Sequence, residues 1–532
     1  MLIGYVSDEN YLALADVLLE FWRGDRSVLV TRSTPRGAVH ADLEAGRYLV
    51  ELARPGFGPK SVEIELPMSE PHHFRLLSDT LSGYMWPKWV QSGDTAEYCV
   101  HAAEECRVSL WRYGLRKEFV RLVNWHGEHG PRAGVQITPD GDYTRTGAAW
   151  NRVGYDLKHH SLRITAPEKS GLYYVHLETK SGDVFTFPWI VAPRAPSAKT
   201  AVLAASINWN AYNSFGGRSN YIHPHHLPDR PTMNARLELD RYRPDYDGYS
   251  HPNDAYRPLS FQRPERFNHV PLETEVTDPI RGRQESHTAP EEWRLLGWLE
   301  REGFGYDLWS EAQLHFGQLD LDAYRTLIIA GHPEYWSPEM YWRLKAWVEE
   351  RGGNLMYLGG NGICGAVEFL DEGTVRHKNH VPDSDHPERG AARFALHAEN
   401  SATLLGLEFD DRGIMTAAPY RVIESDHWVF AGTGLREGDL FGVASQHERI
   451  WGGASGHETD KIPETGAPTG IEHLAKGTNA DDGGADMIVR RTPSGGHVFS
   501  AGSITYIASL LVDEPLSRVT ANVLRRFGGS EG

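Results

Sequence analysis

Cysteine is scarce: Cys99, Cys106 and Cys364 are the only three in 532 residues. No two of them stand as CxxC, so neither a disulfide framework nor a thiolate zinc site is written into the chain. Long apolar runs are missing too, with nothing near the roughly 18 residues that a membrane-spanning helix needs. The opening stretch, "MLIGYVSDENYLALADVLLEFW", carries acids where a secretory leader carries bases. Basic charge is in short supply: 54 Lys and Arg face 72 Asp and Glu, a net charge of −18. A field of that sign repels phosphate backbones and anionic headgroups, which argues against nucleic acid or a membrane as partner. A soluble, cytoplasmic protein is the expectation these absences leave.

What is present changes style along the chain. With 40% apolar residues over this length, several cores are expected. Residues 1–77 read as a small β-sandwich: "RSVLVTR" and "EAGRYLVELARPGFGPKSVEIEL" are short alternating runs broken by Gly and Pro. Residues 78–194 read as a second, Ig-like β-sandwich. In it "GLYYVHLETKSGDVFTFPWIVAP" predicts a hairpin turning at Ser-Gly-Asp, and Cys99 and Cys106 read as small core residues. The run "VAPRAPSAK" is a linker. From 197 to 528, continuous apolar strands ("TAVLAAS", "YRTLIIAG", "NLMYLGGNG") alternate with helical patterns ("PEEWRLLGWLEREG", "SPEMYWRLKAWVEERGG"). Ser337 is an N-cap and Pro338 an N1 residue by type. Strands buried on both faces and alternating with helices predict a parallel α/β sheet, with ligands at the strands' carboxyl ends. The fold class expected is therefore α/β plus all-β.

At one such strand end stands "LIIAGHPEYWSPEM", placing His332, Glu334 and Tyr335 between a strand and a helix start. A tyrosinate with carboxylate and imidazole neighbours suits a hard, Lewis-acidic metal ion. Asn361, in the turn after "NLMYLGG", belongs to the same neighbourhood. In "LHAEN", His397 and Glu399 stand two apart, and in an extended segment both point one way. Against the metal stands a thiol: Cys364 lies on the Gly-rich turn "GGNGICGA", the place of a strand–turn–helix nucleophile, and "GGHVFSAG" near the C-terminus offers His497 inside a strand. "IWGGASGHETDKI", with His457, Glu458 and three glycines, reads as structural close approach. The long polar stretch 213–285, rich in aromatics, is expected to order over the active-site face, and its "HPHH" at 223–226 reads as solvent-facing.

The motifs "NWNAYNSFGGRSNY" (208–221), "LGWLEREGFGYDLWSEAQLH" (296–315), "LIIAGHPEYWSPEM", "NLMYLGGNG", "RIWGGASGHETDKI" and "GGHVFSAGSITYIASL" occur in this order. Together they resemble the large (beta) subunit family of N,N-dimethylformamidase over roughly residues 197–528. The resemblance implies an amidohydrolase acting on a small amide. It implies a glutamine-amidotransferase-like α/β domain without the cysteine mechanism. It also implies a mononuclear Fe3+ held by two tyrosines and one glutamate, with a histidine close by. Carried over, Tyr335 and Glu399 are the metal ligands, and His397, Glu399, Asn361 and His332 the catalytic set. Glu399 or His397 would take the proton of the attacking water and pass it to the amine, while Asn361 would orient the amide or hold the oxyanion. The second tyrosine, counted back from "WLE", falls on Trp293 or Arg294, so Glu291, Glu292 or His287 would have to substitute. The resemblance leaves room for a small partner subunit or a homo-oligomer. Two other readings are a Cys364-dependent amidotransferase-like hydrolase and a non-catalytic binding protein with a relic α/β domain.

Overall fold

The structure, a computed structural model, describes residues 1–126, 163–217, 219–221, 228–233, 258–281, 285–378, 390–447 and 452–529. Three groups of sheets follow one another along the chain. In the first, a three-stranded and a four-stranded sheet enclose one core, with Ile3, Val6 and Phe74 on one side and Phe21, Val50 and Ile64 on the other. The alternation read from the sequence is physical here. Strands Gly46–Ala53 and Lys60–Leu66 bury every second residue, as the two-residue period of a half-solvated sheet requires. The second group pairs a three-stranded with a five-stranded sheet. Its hairpin, Gly171–Thr179 with Val184–Ala192, turns at Gly182, whose φ is +97°. Cys99 and Cys106 are buried within it and form no disulfide among the described residues.

The third group is built on a nine-stranded mixed sheet. Its chain order begins β1 (Thr200–Ala204), α1 (Ser206–Tyr212), α2 (Ala289–Arg301), β2 (Asp307–Ser310), β3 (Thr326–Gly331), β4 (Tyr335–Trp336) and α3 (Pro338–Glu349). It continues β5 (Asn354–Gly359), β6 (Gly365–Asp371), β7 (Thr374–Lys378), β8 (His497–Ser500) and α4 (Glu514–Phe527). Five strands run parallel in the order β2-β1-β3-β5-β8, and four antiparallel strands extend the β8 side. β1, β2 and β3 are buried throughout, which is why they read as unbroken apolar runs. The chain leaves β1 to one side for β2 and returns on the other for β3. That reversal is a topological switch point, where a crevice opens at the carboxyl ends.

Helix α3 follows its sequence pattern. The Ser337 hydroxyl accepts from the Met340 N–H, and Pro338 opens the helix. The face of Met340, Tyr341, Leu344, Trp347 and Val348 is buried. Each large side chain on it contributes roughly 1.5–3 kcal/mol. Gly353 ends the segment because a Cβ there would lie 2.2 Å from the Trp347 ring. Helix α2 is almost wholly buried, polar residues included, so its charges must find partners inside. Glu292 accepts from the Trp209 indole and the Ala205 N–H, and Arg294 donates to the Pro290 and Asp278 carbonyls.

Candidate functional site

The switch point holds a cluster of phenols around one carboxylate. β1 runs into α1, whose last residue is Tyr212, and the chain beyond supplies Asn220 and Tyr221. β3 ends at Gly331, φ +67°, where the left-handed turn starts His332-Pro333-Glu334. β4 then carries Tyr335, paired in parallel with Gly365 of β6. The Tyr221 and Tyr335 hydroxyls are 2.6 Å apart. Tyr221 donates to Glu334 Oε2 at 2.9 Å, Tyr212 donates to the same oxygen at 3.3 Å, and Asn220 Nδ2 donates to the Tyr335 oxygen at 2.8 Å. The centre of the group is out of solvent, with Tyr335 1% and Glu334 4% exposed, while Tyr212 and Tyr221 are half-buried. Burial pushes the Tyr221 and Tyr335 hydroxyls well above the usual phenol range, and the Glu334 charge adds to it. Burial also raises the Glu334 carboxyl, against the pull of His332, and Glu458 pushes it further up.

A histidine–carboxylate relay adjoins the phenols. His332 Nε2 lies 3.4 Å from Glu334 Oε2 and 3.2 Å from Glu458 Oε2. Its Nδ1 is 2.7 Å from Nδ1 of His287, so one ring donates and the other accepts. His287 in turn stacks on Tyr212, with centroids 4.8 Å apart and planes at 13°. Asn361 Nδ2 donates to Glu458 at 2.7 Å, and the Asn361 N–H donates to Asp460. Burial lifts the Asp460 carboxyl to about 7. The turn that does this is strained: Asn361 and Ile363 have φ of +49° and +54°, and His457 opposite has +66°. A β-branched residue in that region is costly, and such outliers collect at working sites.

Sequence reasoning reached half of this. His332, Tyr335 and Asn361 meet as expected, joined by Glu334. His397 and Glu399 are not joined to them. Glu399 accepts from the Tyr341 hydroxyl at 2.6 Å and from Thr403 at 2.7 Å, and it pairs with Lys345. The segment around them is not a strand: it follows the short helix Gly390–Ala395, so the two-residue spacing does not aim both side chains at one point. His332 and Glu334 do meet, across a tight turn in which the Glu334 N–H donates to the His332 carbonyl. The phenols that Trp293 and Arg294 could not supply come from Tyr212 and Tyr221, inside the quoted stretch 208–221. Of the suggested substitutes His287 joins the cluster, whereas Glu292 bonds Trp209 and Glu291 lies against His447. Glu458, read as structural, faces His332. The glycines beside it do serve close approach, since a Cβ on Gly456 would meet the Thr416 carbonyl oxygen at 2.4 Å. Asn361 donates one of its two amide N–H groups to Glu458. The thiol of Cys364 is fully buried and pushed far up by burial, then by Glu334, so nothing here activates it as a nucleophile. His497 begins β8 and stacks on Phe527. The histidines of 223–226 lie outside the described residues.

Among the described residues, no three or more His, Cys, Asp and Glu side chains gather as a metal site. The oxygen set at Tyr335 depends on phenols. Nor is any described helix long and apolar enough to cross a membrane.

A family model described as N,N-dimethylformamidase beta subunit-like, C-terminal, matches residues 109–518. The N,N-dimethylformamidase beta subunit of Paracoccus aminophilus is 27% identical over 290 residues, covering 45% of this chain and 36% of the relative. That of Alcaligenes sp. is 28% identical with the same coverage. The chain thus matches little more than a third of the length of these curated relatives. Two solved structures, a DUF3823 family protein from Bacteroides ovatus and a C-terminal fragment of intimin, reach TM-scores of 0.14 and 0.12. They are 10% and 8% identical and cover 35% and 38% of this chain, and 96% and 67% of their own. Scores that low carry no argument.

Proposed function

The chain belongs to the N,N-dimethylformamidase beta subunit-like family, and from that premise we propose that it hydrolyses the C–N bond of a small amide at the Tyr335 cluster. One observation carries the reading: Tyr221 and Tyr212 donate to one buried carboxylate within 3.3 Å, and the Tyr335 hydroxyl lies 2.6 Å from that of Tyr221, beside a histidine–carboxylate relay. That donor set fits the two tyrosines and one glutamate that the family resemblance implies for iron. Hard oxygen donors on adjacent strand ends suit a ferric ion, and phenols that burial keeps protonated would yield their protons to a trivalent charge. Tyr335, Tyr221 or Tyr212, and Glu334 would hold it. Bound there, the ion would supply Lewis acidity toward a carbonyl oxygen and a water.

The chain's own residues do the rest. His332 sits between two carboxylates and can take a proton from water at Nε2, then deliver it to the departing amine nitrogen. Glu458 steadies the charged imidazole, and Asn361 holds Glu458 in place. His287 fixes the His332 ring through Nδ1. The aromatic walls exclude bulk water and limit the substrate to a small amide. Atoms balance: amide and water give a carboxylic acid and an amine.

The proposal keeps the division at residues 77 and 194 and a glutamine-amidotransferase-like core. The five parallel strands support that core, and the inert Cys364 fits its lacking a cysteine mechanism. It also includes a multi-subunit assembly, because the relatives are named beta subunits.

Elemental analysis and an absorption spectrum test it, with dimethylamine release from N,N-dimethylformamide as the activity probe. About one iron per chain is expected, with a visible tyrosinate band that Tyr335→Phe abolishes. Iron-free protein after reconstitution, with no band, overturns the assignment.

A further inference from the structure

A second cleft, of about 520 Å³, lies between the second group of sheets and the α/β part. Trp86, Trp89 and Phe316 form its aromatic side. Their orientations are fixed. Trp89 stands edge-on to Phe261 at 5.0 Å, Trp86 stands at 73° to Trp89 at 6.2 Å, and Phe316 stands edge-on to Phe369 at 5.2 Å. The two halves are locked at the β6–β7 turn, where a Cβ on Gly373 would lie 3.0 Å from the Trp86 ring. Phe316 is 37% exposed and Trp86 half-buried, so flat ring surface remains open to a ligand. The amides of Gln91 and Gln318, the Thr95 hydroxyl and the Glu372 carboxylate line the remainder. Asp94 is also there, already bonded to Arg194 and to the Gln91 N–H.

We infer that this cleft binds a saccharide. A sugar ring has one face of C–H groups and a rim of hydroxyls, each both donor and acceptor. Its complement is an aromatic plate edged by amides and carboxylates. An apolar ligand would strip water from Gln91, Gln318 and Glu372 without replacing it, at a cost. An anion would meet Glu372 and Asp94. A simple ammonium ion would use acceptors only and leave the amide N–H groups idle. The cleft is large enough for a disaccharide. It shares no residue with the Tyr335 cluster, so its ligand is held apart from the chemistry there.

The test uses the full chain on a glycan array of oligosaccharides built from glucose, galactose, mannose and xylose. Calorimetric titration with the free form of any glycan bound follows, then titration with tetramethylammonium chloride. The expected result is selective capture of at least one glycan class, with a dissociation constant on the order of 1 mM for the free sugar. Trp86→Ala should weaken it about tenfold, and Tyr335→Phe should leave it unchanged. The exposed Gln318→Ala and Glu372→Ala guard against a misfolded Trp86 variant, and each should weaken binding severalfold. Silence across the array overturns the proposal. So does a glycan whose affinity ignores all three cleft variants, or heat from tetramethylammonium with none from sugars.

Discussion

Two tyrosine–glutamate pairs flank the start of helix α3, and they have opposite characters. Tyr221 and Tyr212 meet Glu334 where Tyr335 closes the group; Glu334 and Tyr335 are buried, and the ion-pair partner there is the buried His332. The buried Tyr341 meets Glu399 beside Lys345, and that carboxylate and lysine are half-buried. Burial raises Glu334. It also tends to raise Glu399, but hydrogen bonds from Lys345, Tyr341 and Thr403 outweigh it and hold that carboxyl below its usual range. The residue types are the same and the phenol–carboxylate distances similar. Desolvation raises one set, and under the proposed function a metal's charge would offset it. A lysine makes the other a clamp.

The sharpest way to break this comparison is to neutralise each glutamate in turn. Glu334→Gln should lose bound iron and cut amide hydrolysis about a thousandfold. Glu399→Gln should keep the metal, change turnover by less than about twofold and cost below about 1 kcal/mol. Iron content and dimethylamine release read both. If Glu399→Gln loses the metal and Glu334→Gln keeps it, the roles are reversed.

Next in size is the phenol between Tyr335 and Glu334. Tyr221→Phe removes the hydroxyl that bridges them. It should weaken metal affinity about 10- to 100-fold and shift the visible band, whereas Tyr341→Phe should leave the spectrum alone. An unmoved band in Tyr221→Phe would shift the second phenolate to Tyr212.

These assignments show why the chain was only partly legible. Apolar runs and caps set the strands, helix α3 and the carboxyl-end location, because those are local consequences of periodicity. Tyr335 and His332 were found because they touch a strand end. Tyr212 and Tyr221 were missed although their stretch was in view, because more than a hundred residues separate them from Tyr335 and only the β1–β3 pairing brings them together. Glu458 was hidden the same way: its glycine-rich setting gives a sufficient structural reason for the motif and says nothing of where the carboxylate points.

A further glutamate, buried like Glu334, separates burial from chemistry. Glu292 faces an indole and a backbone N–H rather than histidine, and burial lifts it from the usual carboxylate range near 4.5 to about 8. Between those values the folded chain holds a proton that the unfolded chain has released, so stability falls as pH rises and levels off above about 8. Glu292→Gln has no proton to lose. It should flatten the decline in melting temperature from pH 5 to 8, removing a slope worth on the order of 3–5 kcal/mol. An unchanged slope would mean that Glu292 is ionised when folded, and that burial alone does not raise a carboxyl in this core.

The smallest effect on activity is expected at Cys364, and it bears on the comparison because the Glu334 charge acts on that thiol. The Cys364 N–H donates to the Glu334 carbonyl, so its backbone helps to set the turn, while its side chain is 2% exposed. A thiol raised by burial and by three carboxylates, Glu334, Glu458 and Asp460, resists becoming the thiolate that nucleophilic attack requires. Cys364→Ala keeps the backbone bond and removes one sulfur from a packed site. Turnover should stay within about twofold and stability should drop by about 1 kcal/mol. A loss beyond tenfold with iron still bound would return the chemistry to the thiol and leave the phenols as its scaffold.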